Sequence, residues 1–69
     1  MMNYPAEQSV MDFETLNVMV VEDHDFQRRM ALQILKGLGV VRLSEASDGH
    51  SALTLLHDSP DKPDIIISD

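Results

Sequence analysis

A chain of 69 residues has room for one small domain, and five Lys and Arg against twelve Asp and Glu give it a formal charge of −7 and a pI near 4.6. That balance excludes the clustered cations with which a nucleic-acid surface displaces counterions, and it excludes a polybasic membrane patch. The absence of cysteine excludes disulfides, thiolate zinc sites and cysteine nucleophiles together; a secreted chain this short usually needs such staples, so the expected compartment is the cytoplasm. Hydrophobic residues make up 43%, which is globular rather than disordered. A domain of ~60 residues buries only ~60% of its unfolded surface. The chain is therefore expected to be very well packed, helped by a partner, or incomplete.

Residues 1–16 have no basic n-region and no apolar run, so they are not a signal peptide. Met2 stands where N-myristoylation needs glycine. The longest apolar stretches are four or five residues, too short to span a membrane. The expectation is a flexible N-terminal leader over 1–16, because termini are loose unless docked.

From Leu16 the texture changes. Val18-Met19-Val20-Val21 is a continuous apolar run ending in Glu22-Asp23, and it predicts β1 over about 17–22. Next comes a helical pattern, α1 (25–37). Asp25 is its expected N-cap, and Phe26, Met30 and Ile34 recur at i, i+4 and i+8, widened by Ala31, Leu35 and Leu38 into a core-facing stripe. Gln27, Arg28, Arg29, Gln33 and Lys36 fall on its polar side. Gly37 or Gly39 can close the helix in a left-handed conformation. Val40–Ala46 is a weaker strand, β2 (40–46). Asp48 begins α2 (48–58), with Ala52, Leu53, Leu55 and Leu56 as its buried side, and Pro60 and Pro63 follow it. Ile65-Ile66-Ile67 predicts β3 (64–68), followed by Asp69. Strands alternating with helices are βαβ units of a parallel α/β sheet with right-handed crossovers. The pattern leaves open whether β3 lies beside β1 or beside β2.

The acids carry the chemical information. Glu22-Asp23 ends β1 and Asp69 ends β3, and in a parallel sheet both ends lie on one edge, where open α/β sheets bind ligands. If β1 and β3 are neighbours, three carboxylates crowd one cleft and raise one another's pKa unless a cation sits among them. Mg²⁺ suits such an oxygen site and leaves room for a phosphate oxygen. A carboxylate can attack phosphorus to form an acyl phosphate, with the metal neutralising charge. Asp69 is the candidate nucleophile, and Glu22 and Asp23 are the candidate metal holders.

At these residues the sequence resembles the receiver domain of bacterial two-component response regulators. The matching segments are VMVVED (18–23), FQRRMALQI (26–34), ASDGHSALTLL (46–56) and PDIIISD (63–69). The resemblance covers residues 17–69, about three quarters of the chain. It implies a flavodoxin-like, doubly wound parallel sheet of order 2-1-3-4-5, truncated here after β1-α1-β2-α2-β3, with β1 beside β3. It also implies that Asp69 accepts a phosphoryl group from a sensor histidine kinase or phosphotransfer protein in a phosphorelay. Asp23 is then a direct Mg²⁺ ligand, Glu22 an acid acting through water, and Asp69 a metal-site residue as well as the acceptor, the set being completed by a backbone carbonyl two residues further on. The family continues into a methionine-proline and aspartate-glycine loop, two more strands and three more helices. Those segments carry the third metal ligand and the Thr or Ser and Lys that bind the phosphoryl group. The 69 residues alone are accordingly not expected to be competent, and their unpaired β3 edge is expected to invite self-association. Glu22–Arg29 also looks like receivers attached to cyclic-di-GMP phosphodiesterase domains.

Two other readings fit part of the pattern. Asp23-His24-Asp25 matches the D-x-D of haloacid-dehalogenase-type phosphatases, with Asp23 as nucleophile and Asp25 as acid/base, but Gln27 stands where that motif wants Thr or Val. A receiver-like docking module that is never phosphorylated is the third. The histidines do not make a zinc pair: His50 and His57 are seven apart, two helical turns rather than one, and His24 reads as a solvent-exposed loop residue. Gly37-Leu38-Gly39 follows a helix and lacks the third glycine of a phosphate loop.

Overall fold

The computed structural model describes residues 12–68. Most of the leader expected over 1–16, and Asp69, lie outside the described residues. Of that leader, Asp12–Thr15 form a turn closed by the Thr15 amide on the Asp12 carbonyl at 3.2 Å, and Arg42 reaches the Thr15 carbonyl.

The described elements are β1 (Asn17–Val21), α1 (Asp25–Gly37), β2 (Arg42–Ala46), α2 (Gly49–Asp58) and β3 (Ile65–Ser68). They form a three-stranded parallel sheet of order β2-β1-β3, an α/β arrangement that resolves the open question in favour of β3 beside β1. β1 is paired along its whole length with β2, and Val18–Val21 pair with Ile65–Ser68. Continuous apolar sequence suits that place, because a central parallel strand is covered on both faces. Val18 and Val20 are 1% exposed and Met19 3%. Met19 packs with Ala46 of β2 and Ala52 of α2, joined by Val21 and Leu56. The opposite face meets α1, where Val20, Gln27 and Ala31 line one groove. No described helix is long and apolar enough to cross a membrane.

Each helix buries only part of the face expected for it. Phe26, Met30 and Ile34 are 71%, 47% and 60% exposed, while Leu32 is buried and Ala31 and Leu35 are half-buried. Arg28 sits on this inner side, at one position of the same stripe, so α1 packs through residues 28, 31, 32 and 35. In α2, Ala52 is buried and Leu56 half-buried, whereas Leu53 and Leu55 are exposed. A periodic apolar stripe identifies a helix but cannot say which side faces the sheet when apolar residues occupy two sides. β3 is exposed throughout, including Ile65, Ile66 and Ile67, because only β1 covers it.

The helix ends follow local chemistry. Asp48 caps α2, its carboxylate accepting from the Ser51 amide at 2.7 Å, and this holds the carboxyl below its ordinary value. Asp25 is not a cap. His24 holds that position without a side-chain capping bond to the helix, and Asp25 is the first helical residue. α1 ends with the Val40 amide on the Leu35 carbonyl and the Gly39 amide on Lys36, both at 3.0 Å, around Gly39 at φ +103°. That is a Schellman stop, which needs a residue tolerant of positive φ. It also takes Val40 out of β2 and buries it in the turn.

The two glycines should respond oppositely to alanine. Gly37 is helical with open space around it, so Gly37→Ala is expected to stabilise by about 0.5–1 kcal/mol. Gly39→Ala places a Cβ at positive φ and is expected to destabilise by about 1 kcal/mol or more. Paired urea titrations of the two variants measure both signs.

Candidate functional site

The site is built at the carboxyl edge of the sheet. The Glu22 amide donates to the Ala46 carbonyl at 3.0 Å, one rung beyond the last β1–β2 pair. The chain then turns through Asp23 and His24 into α1. The turn is closed by Glu22 itself, whose Oε2 accepts from the His24 amide at 3.0 Å and lies 2.8 Å from His24 Nδ1. Asp23 Oδ1 is 2.9 Å from the same ring nitrogen. The Glu22 side chain is 10% exposed, and that of Asp23 is 75% exposed. Beside them a groove of about 300 Å³ opens between β1, β3 and α1, lined by Val20, Val21, Glu22, Gln27, Ala31, Ile67 and Ser68.

Of the three expected site residues, the described structure brings Glu22 and Asp23 together. Asp69 lies outside the described residues; β3 is described to Ser68, which pairs with Val21. His24 was missed. It reads from sequence as a loop residue, yet its ring nitrogen and one oxygen from each acid lie within 4.8 Å of one another. No motif announces it, since an E-D-H triplet gains meaning only from the turn that folds the ring back. Arg28 was also misread as polar-face. Its side chain is 15% exposed, and its guanidinium donates to the Glu22 carbonyl at 2.8 Å, to Glu45 Oε1 at 2.9 Å and to Asp25 Oδ1 at 2.7 Å.

The mutual crowding expected of three carboxylates involves Asp69, outside the described residues; within the described turn Glu22 is held down at about 2. The chief cause is the His24 amide, followed by the His24 ring, both favouring the carboxylate. Asp25 first, and then Glu45, push the Arg28 guanidinium up.

The donor set fits a hard divalent cation. Glu22 and Asp23 supply two adjacent carboxylates, one screened and one open to water, and Mg²⁺ typically takes one or two carboxylates and keeps waters. Such a pair beside a groove can hold a cation next to a phosphate-sized ligand.

A carboxyl whose folded pKa is lowered stabilises the fold above its unfolded value and loses that contribution as pH falls through the folded value. The Glu22 contribution is therefore expected in full above about pH 4.5 and lost as pH falls towards 2. Denaturation midpoints of parent and Glu22→Gln chains should converge over that window, and a side-chain carboxyl titration by NMR should place Glu22 at its acid end.

Compared with known proteins, the chain matches no family model, no curated protein and no solved structure.

Proposed function

We propose that this chain is a receiver-type phospho-acceptor segment of a cytoplasmic two-component response regulator, with a flavodoxin-like fold. The observation that supports it is the strand order. β1 lies between β2 and β3, so the strand that delivers Glu22-Asp23 runs beside the strand whose next residue is Asp69. In this reading an Asp69 carboxylate oxygen attacks the phosphorus of a phosphohistidine on a partner kinase or phosphotransfer protein. A P–O bond forms and the P–N bond breaks. The imidazole leaves with the electron pair and takes up a proton, and the product is an acyl phosphate. Glu22 and Asp23 would hold Mg²⁺, which when bound offsets repulsion between carboxylate and phosphate. The phosphatase alternative is less well supported, because the Asp25 carboxylate is occupied by Arg28.

The test uses the protein as expressed from its own gene, given a histidine kinase or phosphoramidate with Mg²⁺. Asp69→Asn is expected to abolish the hydroxylamine-sensitive label seen by intact mass, and Asp23→Asn to reduce it at limiting Mg²⁺. Label that survives Asp69→Asn and disappears in Asp23→Asn would favour the phosphatase reading.

A second copy is the partner supported by the open edge. Among the described residues β3 pairs only with β1, which leaves its other backbone side open, with three half-exposed isoleucines. Ile67 borders Ala31 and Gln27, and round the helix from these lie the exposed Met30 and Ile34, so the apolar surface continues from strand to helix. Sedimentation velocity is expected to show concentration-dependent association of the 69-residue chain, reduced by Ile66→Lys.

A further inference from the structure

Arg28 makes three charge-assisted or main-chain bonds, each to a different part of the fold. Nη1 holds the Glu22 carbonyl where β1 ends, Nε holds Glu45 on β2, and Nη2 holds Asp25 at the first turn of α1. Only a guanidinium has enough donors, in a fixed planar fork, to satisfy acceptors in three directions. The choice of atom at Glu22 matters. Arg28 binds its carbonyl and leaves its carboxylate to the His24 turn. With the Glu22 amide on Ala46, both main-chain polar groups of Glu22 are held from outside the loop. The positive charge of Arg28 is meanwhile committed to Asp25 and Glu45.

We propose that Arg28 is a positioning residue for the acidic edge: it clamps the Glu22 main chain to β2 and α1, fixing the 22–24 turn so that the Glu22 and Asp23 carboxylates stay together and available to a divalent cation. The proposal rests on the metal reading for its purpose, but the clamp itself is testable without metal. Outer partners that orient a ligand through its backbone or second donor commonly govern metal affinity as strongly as the ligands do.

Charge and geometry predict opposite signs here. Removing a guanidinium from an acidic site strengthens cation binding if charge alone matters; releasing the loop weakens it. Amide hydrogen exchange is measured on the full 69-residue chain, with the Ser51 amide, capped by Asp48 on α2, as internal reference. Mn²⁺ binding is measured on the same samples by water-proton relaxation. In Arg28→Gln, exchange at the His24 amide is expected to rise about tenfold with Ser51 unchanged, and Mn²⁺ affinity to fall about tenfold. Arg28→Lys, which keeps the charge without the fork, is expected to remain impaired. Should Arg28→Gln lose the reference protection at Ser51 as well, Glu45→Gln serves instead, with the same changes expected at about threefold.

Unchanged His24 exchange in the clamp variants overturns the proposal whatever the metal does. Tighter Mn²⁺ binding in Arg28→Gln, or full recovery in Arg28→Lys, overturns it also. Faster His24 exchange with no Mn²⁺ uptake by the parent chain supports the clamp and removes the metal reading, so the two failures are distinct.

Discussion

The fold hangs on the double pairing of β1. It is hydrogen-bonded on both edges and covered on both faces, and its three central side chains are each 3% exposed or less. Water is excluded from this strand, so its backbone must be satisfied by β2 and β3, and those pairings fix the register of everything at its carboxyl end. Glu22 leaves the strand one residue past the last buried pair, with its amide still on the ladder. The acidic turn therefore inherits its position from a strand paired on both sides.

The site shows how a small sheet handles adjacent acids. Repulsion between Glu22 and Asp23 is offset locally by an amide and an imidazole from the next residue, and the surrounding main chain is held by one arginine. Neither device requires a buried polar group without a partner, and among the described residues no buried side-chain polar atom lacks one. Asp23 is left open to water, where a cation can reach it.

The periphery is built less tightly. β3 is exposed along its length, its isoleucines at 39–48%, and the Phe26-Met30-Ile34 side of α1 is exposed although it is the most regular apolar stripe in the sequence. A stripe with perfect helical spacing normally marks the core face. Here the core face is the less regular set around Ala31, Leu32 and Leu35, because the sheet offers α1 the narrow groove over Val18 and Val20. The same geometry makes Arg28 an inner residue, since it shares that side of the helix.

By itself, the sequence determined the order and type of all five elements. Valine and isoleucine runs have only one good place in a small α/β fold, and caps and proline punctuate the helices. It also determined which strand ends carry acids, because a parallel sheet sends every carboxyl end to one edge. The residue pattern left β3 beside either neighbour, since the isoleucine run fits both equally well; the tertiary structure puts it beside β1, the order the resemblance implied. Packing likewise decided which helix faces are buried, because periodicity measures an angle but has no knowledge of what stands opposite. The roles of His24 and Arg28 came from the same source. His24 depends on the tight turn that folds its amide and ring onto the adjacent Glu22 and Asp23, and Arg28 on the distant Glu45 that strand pairing brings beside it. No spacing in a linear chain encodes those meetings.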